Sequence, residues 1–260
     1  MKIAFFDSGV GGLSGLHRAM ELLPQEDFIF YADEDHVPYG VKSREEVLAL
    51  VEDAFRFLLE KKAEAIVVAC NTATSVAATK MRERFAIPII GMEPAVKKAL
   101  STSGGKRVLC LATPITVRGE KLKKLIERYD NDHLVDALPL PRLVEFAEEE
   151  EFSSEQVDEY LAENLAPYDV KNYSAVVLGC THFNYFKDSL RKILPENVAF
   201  VDGNEGTVRE LMRRLGLEEE KTEGRISVQY FYSGRLVTEA QELARLNRYL
   251  ARLGEMQILR

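Results

Sequence analysis

The stretch AIVVACNTATSVAA, residues 65–78, decides the fold. Its first half is a short, fully apolar β-branched run, which reads as a strand buried on both faces. Its second half carries small and polar residues at helical spacing. The two meet at Cys70. Residues 175–186, AVVLGCTHFNYF, repeat the pattern: an apolar run, a small residue, Cys180, a hydroxyl side chain and a helix start. Two thiols therefore stand at the C-terminal ends of two buried strands, where open α/β sheets bind their ligands.

Outward from these segments, strand and helix patterns alternate along the chain. Toward the N-terminus, Lys2 to Phe6 is an apolar run closing on Asp7, followed by a glycine turn and a helical pattern through Leu22. Phe28 to Tyr31 reads as a second strand, and Ser43 with Glu46 has capping-box spacing at the head of a helix through Lys61. After residue 78 the helix that starts at Thr74 runs to Phe85. It is followed by a strand over Pro88 to Ile90, a helix over Pro94 to Leu100, and the flexible STSGG of residues 101–105. The cycle then restarts with strands at Arg107 to Leu111, Leu134 to Ala137, Ala175 to Leu178 and Val198 to Val201. Helices are predicted over Ile115 to Tyr129, over most of Arg142 to Pro167, over Tyr185 to Leu194 and over Glu205 to Leu215. An alternating stretch, SVQYFYSG, precedes a last helix from Thr238. This alternation implies mainly parallel sheets with right-handed crossovers. The restart and the repeated cysteine pattern predict an α/β protein of two similar halves with a ligand cleft between them. Residues 1–95 with 206–260 form the first domain and 96–205 the second.

Composition narrows the function. With 260 residues and 46% hydrophobic content the chain can bury a substantial core. Apolar runs fall short of the roughly 18 residues of a transmembrane helix, and MKIAFFDSG lacks a signal-peptide pattern, so no membrane partner and a cytoplasmic location are expected. The formal charge of −8, without a basic cluster, argues against nucleic acid as a main partner. The cysteines, Cys70, Cys110 and Cys180, lack a CxxC pair, so neither a disulfide framework nor a metal site is indicated. Cys110, inside RVLCLAT, reads as a small core hydrophobe. The acidic run Glu148 to Glu151 reads as a solvated surface.

Cys70 and Cys180 are different, because each marks the point where apolar residues give way to a polar pair and a helix start. Free backbone amides there can favour a thiolate. A cysteine of pKa about 8.5 is only a few per cent thiolate at pH 7, so a neighbouring base is required. His182 is placed to serve Cys180, and Asp7 to serve Cys70. The competing reading is dinucleotide binding. DSGVGGLS, residues 7–14, approaches the glycine fingerprint, and Asp33 stands near where a ribose-binding acid would. Against it, Ser14 replaces the third glycine, and Asp7 would repel a pyrophosphate. A non-catalytic amino-acid binding module is a further alternative. Two equivalent thiols from opposite halves suit proton removal on one face of a carbon and delivery on the other, which is racemisation.

DSGVGGLS, the PYG of residues 38–40, ACNTAT around Cys70 and GCTHF around Cys180, in this order and spacing, resemble the glutamate racemases of the aspartate/glutamate racemase superfamily across nearly the whole chain. The resemblance implies a cofactor-independent isomerase that makes D-glutamate for peptidoglycan, commonly as a homodimer. It implies Cys70 and Cys180 as the catalytic thiols, with Asp7 and His182 assisting. Ser8, Pro38, Tyr39, Gly40, Asn71, Thr72 and Thr181 are implied as pocket residues, with Thr113 and Thr116 as the family's spaced threonines and Glu145 as a pocket-side acid. The chain departs from the family pattern at Ala32, Gly119, Asn184 and Tyr185, beside the thiols rather than at them. Asn184 has the character of a helix cap. Aspartate or hydantoin remain alternative substrates within the superfamily.

Overall fold

The computed structural model describes residues 1–219 and 224–259. From the N-terminus the chain forms β1 (Lys2–Asp7), α1 (Leu13–Leu22), β2 (Asp27–Ala32), α2 (Arg44–Glu60), β3 (Ala65–Val68), α3 (Asn71–Arg84), β4 (Ile89–Gly91) and α4 (Val96–Thr102). It continues through β5 (Arg107–Ala112), α5 (Pro114–Val117), α6 (Glu120–Tyr129), β6 (Val135–Pro139), α7 (Arg142–Glu148), α8 (Glu155–Leu165) and β7 (Tyr173–Leu178). The last elements are α9 (Lys187–Arg191), β8 (Ala199–Val201), α10 (Asn204–Leu215), β9 (Ser227–Tyr232), β10 (Arg235–Leu236) and α11 (Ala240–Met256).

Two sheets result. One has the strand order β10-β9-β2-β1-β3-β4 and the other β6-β5-β7-β8, parallel throughout except for the β9–β10 hairpin. The near-continuous apolar character of the strands follows from burial on both faces. In β1, Ile3 and Phe5 face the core between the sheets, while Ala4 and Phe6 face a second core with residues of α2 and α3. In β7, Val176 and Leu178 enter the central core, and Ala175 and Val177 enter a third with Val96, Ala99 and Leu122. Cys110 lies in this third core with no exposed surface, and burial alone pushes its thiol up to about 12. It is a packing residue.

The parallel order brings the C-terminal edges of β1 and β3 side by side, with Phe6 opposite Val68. β5 and β7 are likewise adjacent, with Leu111 opposite Leu178. The capping box predicted at Ser43 and Glu46 is formed in both directions. Three predicted helices differ in detail. The helix expected over Ile115 to Tyr129 is divided at Arg118 and Gly119, where Gly119 is extended and α6 begins afresh. The helical stretch after Arg142 breaks at residues 149–154, where Glu150 has positive φ and Ser154 caps α8. The helix predicted over Tyr185 to Leu194 begins instead as a 3-10 turn, Thr181–Phe186, leading into α9. Asn184 does not cap it by accepting an amide; its Nδ2 donates to the Thr181 carbonyl at 3.1 Å. Among the described residues, no helix is long and apolar enough to cross a membrane.

Candidate active site

β3 ends at Val68 and α3 begins at Asn71, so Cys70 occupies the N-cap position, and its Sγ accepts the Ala73 amide hydrogen at 3.4 Å. Serine, threonine or aspartate would cap better, since sulfur is a weak acceptor. A cysteine in this place departs from the local rule, as functional positions do. The same site also receives Ser8, whose Oγ lies 3.7 Å from Sγ. Asp7, at the end of the neighbouring strand β1, is fully buried. Its Oδ1 accepts the Gly9 amide at 3.1 Å and Ser8 Oγ at 3.2 Å, and its Oδ2 accepts Thr181 Oγ1 at 3.1 Å. Burial raises its pKa to about 6 despite the pull of the His182 charge and these hydrogen bonds.

Cys180 stands at the C-terminal edge of the other sheet, just past β7, with its Sγ 3.8 Å from His182 Nδ1. The His182 ring is 1% exposed, and its Nε2 lies 2.6 Å from Glu148 Oε1. Burial alone would make this imidazole a weaker base, but Cys180 and Glu148 more than reverse that and raise its pKa well above the ordinary value. His182 is therefore an imidazolium held between a sulfur and a carboxylate. At Cys70 the expectation of a lowered pKa is overturned: burial and the nearby Asp7 charge push the thiol up, outweighing the single amide bond from Ala73.

Both sulfurs face one cavity of about 10 Å³, lined also by Ser8, Pro38, Tyr39, Gly40, Asn71, Thr72, Thr113, Val144, Thr181 and His182. Asp7 and Thr116 are one hydrogen bond behind this lining. Thr116 Oγ1 lies 3.0 Å from Thr113 Oγ1, which lies 2.9 Å from Thr72 Oγ1, so a chain of hydroxyls joins the edges of the two sheets. Asn71 Oδ1 is buried and has no hydrogen-bond partner among the described residues. Glu145, expected as a pocket-side acid, is exposed on α7, where it lines a neighbouring cavity with Val37, Pro38 and Val144, and the carboxylate that contacts His182 is Glu148, one helical turn onward. The acidic run of residues 148–151 is accordingly not all solvated. Its first member turns inward, and the signal available in sequence was the i, i+4 spacing that places Glu148 on the buried face with Val144.

The glycines of DSGVGG serve packing between the halves. A β-carbon on Gly11 would lie 2.4 Å from His182 Nδ1, and one on Gly9 would lie 1.9 Å from Glu148 Oε1. The turn is thus filled by protein side chains where a dinucleotide would need room for its pyrophosphate. Asp33 is also engaged, accepting from Tyr39 Oη at 2.5 Å and Ser233 Oγ at 2.7 Å.

A sequence model of the Asp/Glu/hydantoin racemase family matches residues 13–211. This chain belongs to that family. Within the family, it is 55% identical to the glutamate racemase of Campylobacter curvus over 98% of both chains. It is 43% identical to glutamate racemase 2 of Bacillus subtilis over 99% of this chain and 98% of that one. Among solved structures it resembles Escherichia coli glutamate racemase in complex with L-glutamate and the activator UDP-MurNAc-Ala. That match has a TM-score of 0.83 and 30% identity, and covers 97% of this chain and 94% of that one. The racemase fold thus accounts for both sheets and for nearly the full length of the chain.

Proposed function

We propose that this protein interconverts L- and D-glutamate by two-thiol proton transfer at Cα, with Cys180 removing the proton from the L-enantiomer and Cys70 from the D-enantiomer. The observation that carries the reading is the arrival of two sulfurs, from the C-terminal edges of two different sheets, at one cavity. For the L-enantiomer, a Cys180 thiolate takes the Cα proton and the Cys70 thiol delivers its own to the opposite face. The thiolate then rests on Cys70, ready for the D-enantiomer. The electrostatics of the two walls differ: burial and Asp7 keep Cys70 protonated, whereas the His182 ring, its pKa raised well above the ordinary value, lies 3.8 Å from Cys180 Sγ.

The α-ammonium finds its acceptor in Asn71 Oδ1, and the carboxylates find donors in the hydroxyls of Ser8, Thr72 and Thr181 and in amides at the helix starts. The cavity of about 10 Å³ is roughly the room a single water needs, so the two walls separate to admit glutamate, breaking the Thr72–Thr113 contact. Such a motion is natural if residues 1–95 with 206–260 and residues 96–205 are two domains hinged about the site. Of the first span, residues 220–223 and 260 lie outside the described residues. The chain acts without a cofactor, as a homodimer in the cytoplasm, supplying D-glutamate for peptidoglycan.

Incubation with L-glutamate in deuterated water provides the test. Deuterium at Cα together with loss of optical rotation is expected. Exchange of L-aspartate in place of glutamate would reassign the substrate, and binding without exchange of either would leave only a binding module.

A further inference from the structure

The carboxylate of Glu148 is held from two sides. Its Oε1 faces His182 Nε2 and also accepts the Val10 amide at 3.0 Å. Its Oε2 faces outward, 3.3 Å from a guanidinium nitrogen of Arg245 on α11. The same nitrogen donates to the Glu148 carbonyl at 2.9 Å, at the end of α7. Arg245 is itself tightly placed. Its guanidinium stacks 5.4 Å from the Tyr249 ring centroid and 5.9 Å from that of Tyr232, and its other terminal nitrogen donates to Glu34 Oε2 at 3.3 Å. Its side chain is 18% exposed. A surface helix from the far end of the chain thus delivers one cation to two half-buried carboxylates, and one of those carboxylates touches the imidazolium beside Cys180.

We propose that Arg245 is a positioning residue for the Cys180 half of the reaction, fixing the plane of the Glu148 carboxylate and through it the ring of His182. This rests on the two-thiol reading above. The physical argument is one of geometry. A carboxylate held on one oxygen only can rotate about its last bond. Held on one oxygen by Val10 and His182 and on the other by Arg245, it stays in the orientation that keeps Nδ1 of the imidazolium toward Cys180 Sγ. Without the guanidinium, Glu148 and Glu34 face each other with no cation between them, which favours rotation of Glu148 away from Glu34 or uptake of a proton. Glu34 is already poised for the latter, since burial and the Glu148 charge raise its pKa to about 7 even with Arg245 present. Either change loosens the His182 ring. Among the described residues no hydrogen bond or ion pair of Asp7, Ser8 or Cys70 involves Arg245, Glu34 or Glu148, and the His182 and Glu148 charges reach Asp7 only through space, so the Cys70 half is affected less.

The test uses 3-chloroglutamate. Removal of its Cα proton and loss of chloride give an enamine that hydrolyses to 2-oxoglutarate and ammonia, so each enantiomer reports one thiol. In Arg245→Met, which keeps much of the apolar stem, elimination from the L-form is expected to fall about tenfold, below the ~10²–10⁴ of the acid–base groups themselves. Elimination from the D-form should change less than about twofold. Arg245→Lys, which keeps the charge without the fork, should recover part of the L-form rate. The D-form rate in the same sample is the control for folding. If the Met variant does not fold, the Lys variant carries the test, with a loss confined to the L-form expected. Equal losses for both enantiomers, or no loss for either, overturn the proposal and leave Arg245 a docking residue of α11. Failure of the underlying reading shows separately: the unmodified protein would then eliminate from neither form, or Cys70→Ser and Cys180→Ser would not each retain one.

Discussion

The walls that carry Cys70 and Cys180 share a backbone design and differ in charge. Each sulfur follows a buried parallel strand and precedes a helical turn, so main-chain geometry alone would make them equivalent. Their neighbours do not. Cys70 has a carboxylate behind it and one amide before it, whereas Cys180 has an imidazolium backed by a second carboxylate. A duplicated fold thus supplies two equivalent positions, and side chains outside the repeated pattern give the two sulfurs different charges to face. A symmetric reaction between mirror-image molecules needs no symmetric site, only two sulfurs on opposite faces.

The comparison breaks most severely if either sulfur is removed. Cys70→Ser and Cys180→Ser are each expected to lower racemisation by ~10²–10⁴-fold, the scale of general acid–base work, while leaving substrate binding in place. Each should still eliminate from a single enantiomer of a leaving-group analogue, the L-form for Cys70→Ser and the D-form for Cys180→Ser. Either single variant racemising at the native rate would show that its sulfur is only part of the core.

A second prediction sharpens the charge difference through stability. Asp7 has its folded-state pKa raised from about 3.8 to about 6, chiefly by burial. The folded state therefore binds this proton more tightly than the unfolded chain does. The Asp7 contribution is most favourable below about pH 4 and declines as pH rises through about 6, by on the order of 3 kcal/mol in all. Asp7→Asn removes the titration and keeps a polar group for Gly9, Ser8 and Thr181. Denaturant unfolding should find the variant more stable than the native protein at pH 7 and no more stable at pH 4, with activity lost. Equal differences at both pH values would show that Asp7 is not the buried titrating group.

A smaller effect distinguishes two glutamates three residues apart. Glu148→Gln keeps the shape of the side chain but removes the charge that holds His182 protonated, and about a tenfold or greater loss in kcat is expected. Glu145→Gln, on the exposed side of the same helix, should lie within twofold of the native rate. The reverse ranking in steady-state kinetics would restore Glu145 as the pocket acid.

That pair also shows where the sequence was legible. The alternation of apolar runs and helical patterns specified both sheets, because strands buried on both faces leave an unmistakable record, as in AFF of β1 and AVVL of β7. The thiols, Asp7 and His182 were legible for a related reason: each is a polar residue at the end of such a run. Glu148 was hidden because four consecutive glutamates look alike, and only the packing of α7 against the glycine turn selects one of them. Arg245 and Glu34 were hidden because their meeting depends on α11 returning across the site, about 100 residues after Glu148. The low thiolate tendency of Cys70 was also out of reach, since a helix start predicts one sign and the burial that overrides it is a property of the assembled cavity.

The smallest expected effect concerns the third cysteine, which shares a strand but not the edge. Cys110 sits in the middle of β5, opposite Ala137 and Val177, and its Sγ would lie 3.4 Å from a β-carbon placed on Gly179. It has no charged neighbour, and burial by itself accounts for its raised pKa. A sulfur in that position can only pack. Cys110→Ala removes one buried heavy atom from a core that also contains Val108, Val177 and Leu122, so a loss of about 1 kcal/mol in stability is expected. Racemisation should be unchanged, because Cys110 lies in the third core and not in the lining of the cavity. Thiol labelling of the folded proteins would find the native protein and this variant differing by a single slowly reacting group. If Cys110→Ala instead lowered turnover by tenfold with stability unaffected, position along the strand would not be what separates a structural thiol from a working one, and the contrast drawn between the sheet edge and the sheet interior would fail.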